Sequence, residues 1–212
     1  MAEVKLNFKN NTLPKVLIAC EYSGVVREAF NKQNFEVWSC DLLPSEIDGG
    51  NHYQGNVFDI LHLDWDLMIA HPPCTHLCVS GARHFKNKLK EQNEALEFFY
   101  ALCENQIPRI CVENPVGIVS TKYKPPTQYI HPYYFGDPAS KKTGLWLKNL
   151  PKLEPTNIVT PNKIKTKSGK IYDEWWYKTS LVPYKDRGKV RSKTFQGIAD
   201  AMVHQWGPLL SV

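Results

Sequence analysis

Two hydrophobic periods alternate along the chain. The run KVLIAC at 15–20 is short, apolar and rich in β-branched residues, as a strand buried on both faces should be. EYSG follows it, and VVREAFNKQ then sets Val25, Val26, Ala29 and Phe30 on one side of a helix. FEVWSCD at 35–41 predicts a second strand, and DLMIA at 66–70 a third that ends at His71, Pro72 and Pro73. LKEQNEALEFFYALCEN at 89–105 is the strongest amphipathic helix in the chain. RICVEN at 109–114 predicts another buried strand, closed by Pro115. TFQGIADAMVHQWG at the end predicts a short amphipathic helix that returns to the sheet, whereas positions 156–190 read as loop-rich.

Strands alternating with helices predict an α/β fold, a mostly parallel sheet covered by helices on both faces. At 212 residues the chain suits one packed domain and is short for two. The expected organisation is a single domain over 1–212, with a small basic and aromatic insertion at about 152–192 and a closing helix at about 195–206. Ligands of such sheets sit beyond the C-terminal ends of the strands. Glu21, Ser23, Asp41, Pro72–Cys74 and Glu113 end the predicted strands and are expected to gather along that edge.

Composition narrows the partners. Apolar residues make up 42%, and no apolar run approaches the roughly 18 residues of a membrane span. The opening MAEVKLNFKNNTLPK has charges and amides where a signal peptide needs an apolar centre, so the expected location is the cytoplasm, with the six cysteines reduced. The net charge of +5 is mild, but Lys and Arg concentrate in 141–193, interleaved with Tyr172, Trp175, Trp176, Tyr177 and Tyr184. That mixture suits a phosphate backbone and unstacked bases. A solvated surface segment with a few aromatic anchors fits it as well.

Two stretches carry candidate chemistry. In ACEYSGVV a strand ends in an acid and turns through Gly24 into a helix, whose N-terminus would favour a carboxylate or phosphate. It is neither a GxGxxG fingerprint nor a GKS/GKT phosphate loop. Asp41 is placed either to accept from two ribose hydroxyls or to cap a turn. In HPPCTHLC two prolines hold Cys74 rigidly at the mouth of the sheet. A thiolate there and a carboxylic acid at Glu113 suit addition to an electron-poor ring with protonation of a ring nitrogen. The competing reading is zinc held by Cys74, Cys78, His76 and His84, although the C-x3-C spacing lacks a second tight pair. Outside that reading, Cys78 is expected to pack as a small apolar residue and His71 to close its strand.

In order, these motifs resemble the DNA cytosine-5 methyltransferases that use S-adenosylmethionine. EYSGVV is similar to that family's first cofactor loop, SCD to its ribose-binding strand end, WDLMIAHPPC to its Pro-Pro-Cys nucleophile motif and VENPVG to its Glu-Asn-Val motif. YFGDPASKKTGLWL resembles the later Tyr-Gly-x-Pro-Gln-x-Arg-x-Arg strand, and FQGIADAMVHQWG the closing Gly-Asn-Ala-Val helix. The whole also looks like compact methylase-like proteins of bacteriophage genomes. The resemblance implies a Rossmann-like S-adenosylmethionine-dependent methyltransferase fold in a bacterial or phage-infected cell. It implies catalysis by Cys74, Glu113 and Lys141, with the cofactor held by Glu21, Tyr22, Ser23, Gly24, Asp41, Leu42, Asn56, Val57 and Pro72. Thr75, Arg83, Lys142, Lys163, Lys165, Lys167, Lys170 and Trp175 would contact DNA, either a duplex with a flipped cytosine or a single strand.

The implied chemistry is attack of Cys74 on cytosine C6, protonation at N3 by Glu113, methylation at C5 and β-elimination. Glu113 must then be protonated, a state that burial beside RICV favours. The chain departs from the family in several places. Val26 and Arg27 stand where further glycines are usual, Asn56 replaces an acid, Thr75 replaces Gln, and Ala139–Thr143 replaces the Gln-x-Arg-x-Arg run. Only about 35 residues stand where the family has a large target-recognition region. Short or relaxed sequence preference follows, or recognition by a protein partner. Two alternatives stay open. One is a methyltransferase-like protein that binds nucleic acid, a nucleotide or a host factor without turnover. The other is an enzyme that modifies pyrimidine nucleotides or RNA.

Overall fold

The computed structural model describes residues 4–8, 12–78 and 88–210. Its centre is a sheet built from β1 (Lys15–Ala19), β2 (Glu36–Asp41), β3 (His52–Gln54), β4 (Leu67–Ala70), β5 (Arg109–Pro115), β6 (Gln128–Ile130) and β7 (Thr143–Lys148). The strand order is β3-β2-β1-β4-β5-β7-β6. The first five strands run parallel, and β7 lies antiparallel between β5 and β6. This is a Rossmann-like α/β architecture.

The period of two in the strands decides what each face buries. Val16 and Ile18 of β1, Leu67 and Ile69 of β4, and Cys111 of β5 share one face. Helices α1 (Val25–Asn31) and α6 (Gln196–Trp206) cover it with Val26, Ala29, Phe30, Ile198, Met202 and the fully buried Trp206. Leu17, Ala19, Met68, Ala70, Ile110 and Val112 point the other way. They meet α2 (Leu89–Cys103), whose Leu96, Phe99, Leu102 and Cys103 recur at helical spacing. A short helix, α3 (Val119–Lys122), adds Val119 to that side.

The two faces locate the ligand edge. The β1–β2 connection passes through α1 on one face, and the β4–β5 connection through α2 on the other. The chain therefore diverges between the neighbouring strands β1 and β4, and the crevice of a doubly wound sheet opens at such a switch point.

Positions 156–190, expected to be loop-rich, fold instead. A two-stranded hairpin, β8 (Lys163–Lys165) with β9 (Ile171–Asp173), leads into α4 (Glu174–Leu181) and α5 (Tyr184–Ser192). These elements bury little apolar surface: α4 buries only Thr179 and α5 no residue, so no apolar stripe marks them in the sequence. Polar caps hold them instead. Asp173 accepts from Trp176 N as the α4 cap and from Ser140 N ahead of β7, and Arg191 Nε donates to Thr179 Oγ1 across 2.9 Å. No helix among the described residues is long and apolar enough to cross a membrane.

Candidate functional site

The loop after β1 folds around its own acid. Cys20 takes a left-handed φ of 58°, which breaks the strand alternation and turns Glu21 beneath the loop. Glu21 is buried, and its two oxygens accept from Val26 N at 2.7 Å and Arg27 N at 3.1 Å, while Ser23 Oγ also donates to it. The N-terminus of α1, expected to attract a carboxylate or phosphate from a ligand, is thus satisfied by the protein's own carboxylate. Gly24 caps α1 at φ 73°. A Cβ there would come within 3.1–3.2 Å of Arg27 and Ile47, so the turn requires glycine for space as well as for conformation.

Arg27 stands where the family pattern led us to expect a small residue. It is completely buried and donates to Glu28, Ser39, Ser45 and the carbonyl of Ile47 at 2.8–3.1 Å. The guanidinium thereby ties α1 and β2 to the loop after Asp41. At that strand end Asp41 Oδ1 accepts from Leu43 N at 2.9 Å, and Oδ2 has no partner among the described residues. Leu42 beside it is 73% exposed. Asn56 caps a 3-10 turn, Val57–Asp59, its Oδ1 accepting from Phe58 N at 3.1 Å. Val57 is buried behind it. Tyr22 is buried too, and its hydroxyl donates to the carbonyl of Lys189 at 2.6 Å, while Lys189 and Lys193 pair with Glu46. Helix α5 therefore lies over the β1 loop.

Past β4 the stretch HPPCTHLC forms one helical turn: Leu77 N and Cys78 N both donate to Cys74 O at 3.0 Å. The turn sets the Cys78 side chain one helical turn from Cys74, and the two thiols share a hydrogen bond. Cys78 is thus a polar neighbour of Cys74 and not merely apolar filling. Its backbone also bridges Gly117, just past β5. Pro72 is buried, whereas Pro73 and Thr75 are exposed. Asn114 Nδ2, near the end of strand β5, donates to Pro72 O at 2.9 Å. Among the described residues no three His, Cys, Asp or Glu cluster as a metal site, and His84 lies outside the described residues, as does Arg83.

Glu113 lies on the same sheet face as Cys111 and shares it with His71, two residues beyond Ile69. Its Oε2 is 3.4 Å from His71 Nδ1. Both line a small cavity with Lys141, Thr143, Phe195 and Met202, and Lys141 Nζ donates to the carbonyl of Arg191 at 3.0 Å. Burial pushes the Glu113 carboxyl up, but the Lys141 ammonium and the hydrogen bonds of His71 and Thr143 outweigh it, and the group is held below its ordinary value. Burial thus favours the protonated carboxyl as expected, but its neighbours outweigh burial and favour the anion. The Cys74 thiol moves the other way. The hydrogen bond with Cys78, burial and the Glu113 charge all raise it, and Lys141 opposes them. The site at rest holds a thiol and a carboxylate.

The remaining expected residues lie on the small basic unit. Lys163, Lys165, Lys167 and Lys170 are exposed on or beside the β8–β9 hairpin. Lys142 sits over the Tyr129 ring at 4.3 Å. Trp175 is half-buried against Phe195, while Tyr172 stacks on Trp176 and Tyr177. The sequence reading missed His71, Thr143, Asn114 and Arg27 as site-building groups. A signal existed for His71, because the period of two in DLMIAH puts 67, 69 and 71 on one face.

No protein-family model matches the chain, and no curated protein matches it either. Among solved structures, a prophage-encoded E. coli protein assigned as a DNA modification methyltransferase is similar to it. The TM-score is 0.47 at 14% identity, over 70% of this chain and 53% of the other. The chain thus spans about half the length of that protein.

Proposed function

We propose that this protein is an S-adenosylmethionine-dependent methyltransferase that methylates C5 of cytosine in DNA through a covalent adduct at Cys74. The observation that carries the reading is the bond from Asn114 to Pro72, which joins the Glu-Asn-Pro and Pro-Pro-Cys motifs side by side at the ligand edge. Cys74, Glu113 and Lys141 lie within electrostatic reach of one another there. Two distant stretches that each made a weak motif become one site with the groups this chemistry needs.

The residues fit the cofactor at the β1–β4 switch point. Asp41 Oδ2 is available to a ribose hydroxyl and the exposed Leu42 offers apolar surface to an adenine, while Gly24 and the buried Val57 shape the loop and the turn behind them. Asn56 Oδ1, already accepting one hydrogen bond, retains a lone pair for the adenine amine. Pro72 would border the crevice; Glu21, Tyr22 and Ser23 act by shaping the loop. The cofactor supplies an electrophilic methyl group.

The resting site holds the number of protons the first step needs, but on the opposite partners, because Cys74 is raised and Glu113 lowered. Addition to C6 needs a thiolate and an acid, and the site holds a thiol and a carboxylate, with the same total of protons. Moving one proton from Cys74 Sγ to the Glu113 carboxyl converts both partners together, with no proton taken from solvent. Glu113 then donates to N3 as the Sγ–C6 bond forms; once C5 carries the methyl group, a solvent water accepts the C5 proton, Sγ leaves C6 by β-elimination, and the N3 proton returns to the Glu113 carboxylate. Lys141 limits the charge around the pair. The basic hairpin and α5 would follow phosphates, and Thr75, exposed beside Cys74, would meet the extruded nucleotide.

One observation favours the reading in which the fold binds without turnover: Glu21 and Lys189 already occupy polar groups of the loop that a cofactor could otherwise use. Calorimetric titration with S-adenosylmethionine, together with mass spectrometry of nucleosides from DNA of expressing cells, separates the two. Saturable binding and 5-methylcytosine support the enzyme. No binding and no modified base would sink it.

A further inference from the structure

His71 has no part in the chemistry above, yet its surroundings are unusual. Its side chain is only 7% exposed, Nδ1 faces Glu113 Oε2 at 3.4 Å, and Nε2 is buried with no hydrogen-bond partner among the described residues. A carboxylate only accepts, so Nδ1 carries the hydrogen in this contact, whether the ring is neutral or an imidazolium, and Nε2 is left without a partner among the described residues. A buried unpaired nitrogen is costly, and a leucine of similar size would close the strand without that cost. The backbone does not require histidine either, since the one bond that continues the sheet, from His71 N to Ala19 O at 2.9 Å, needs no side chain.

We propose that His71 is a positioning residue for Glu113: its Nδ1–H fixes Oε2 and holds the group as the anion, leaving Oε1 to face a docking pyrimidine. The inference rests on the cytosine reading for the identity of that base, but the contact between the two residues does not. The other groups facing the pair are the Lys141 ammonium, the thiols of Cys74 and Cys111, and the Thr143 hydroxyl. From α6 and the residue before it come only Phe195, Ile198 and Met202, none of which titrates.

The pH dependence follows from the proton count. The site is competent between the titrations of Glu113 and Cys74, where the pair holds one proton, and activity falls on the acid side as Glu113 takes up a second. Removing a donor to the anion raises the Glu113 titration, so this acid limb moves to higher pH.

The test has two readouts. In the unmodified protein, nitrogen-15 spectra of the histidines should show His71 protonated at Nδ1; protonation at Nε2 instead would overturn the proposal without any variant. Carbon-13 titration of the Glu113 carboxyl should then move up by about one pH unit in His71→Leu, a shift typical of losing one hydrogen bond to a carboxylate. In His71→Asn, which keeps a donor near Nδ1, it should stay close to its original value. Adduct formation with DNA containing 5-fluorocytosine, followed against pH, should show its acid limb moving with the carboxyl and a rate partly restored in His71→Asn. A lower melting temperature with an unmoved titration and limb would make His71 merely structural and overturn the proposal. A moved carboxyl with no adduct from any form would uphold the pairing and sink the cytosine chemistry instead.

Discussion

Asn114 Nδ2 donates to the carbonyl of Pro72 across 2.9 Å, so the end of β5 holds the loop that carries Cys74. The bond is buried, and neither residue is a reacting group. It sets where the nucleophile stands relative to Glu113, one residue before Asn114. Asn114→Ala leaves a buried carbonyl unpaired and is expected to cost about 1–3 kcal/mol in urea denaturation. The loss in methyl transfer should exceed what partial unfolding explains, because a misplaced reacting atom is costly in rate. Unchanged transfer in a folded Asn114→Ala protein would show that the bond does not position Cys74.

Cys78 raises its neighbour. The Cys74 thiol lies above its ordinary value of 9.0, chiefly through the hydrogen bond with Cys78. A raised thiol is mostly protonated at neutral pH, so alkylation of Cys74 by iodoacetamide should be slow at pH 7 and climb only on the alkaline side of 9.0. Cys78→Ala removes the leading cause, and alkylation at pH 8 should then quicken several-fold. Mass spectrometry of the modified peptide reads the rate, and equal rates in the two proteins would remove Cys78 from the account.

Arg27 anchors the loop after β2. Arg27→Met keeps much of the volume and none of the donors, leaving Ser39, Ser45 and the Ile47 carbonyl to find others. We expect a loss of about 2–4 kcal/mol from several hydrogen bonds to a buried charge. Affinity for S-adenosylmethionine should fall with it, since Asp41 and Leu42 lead into the same loop. Thermal denaturation and calorimetry check both. Full stability in Arg27→Met would mean that the loop holds itself.

What the sequence made legible followed from burial. β1, β4 and β5 are buried on both faces, and their apolar runs marked them to within a residue or two. Helices α2 and α6 each press an apolar stripe on the sheet and were equally plain. β3 and β6, three residues each, were not marked, nor were α4 and α5, whose order comes from caps and arginine bonds. At the site, Cys74 and Glu113 were readable because two strand ends carried them. The protonation of Glu113 was not, since it depends on Lys141, His71 and Thr143 arriving from β4 and the approach to β7.

The hairpin lysines carry the prediction about DNA. Replacing Lys163, Lys165, Lys167 and Lys170 together with Gln should flatten the dependence of log affinity on log salt by roughly 0.7–0.9 for each lysine that neutralises a phosphate. Fluorescence anisotropy with a labelled oligonucleotide across a potassium chloride series measures it. A slope equal to that of the unmodified protein would move the nucleic-acid surface elsewhere.

The central claim is that Cys74 bonds to cytosine, and DNA bearing 5-fluorocytosine tests it most directly. Fluorine at C5 cannot leave as a proton does, so elimination stops and the enzyme stays attached. In the presence of S-adenosylmethionine the unmodified protein should give a complex that survives denaturation, with the modified peptide mapping to Cys74. Cys78→Ser should still form it, and Cys74→Ser should fold yet form none. No adduct from the unmodified protein, or an adduct that persists in Cys74→Ser, would contradict the account at its centre.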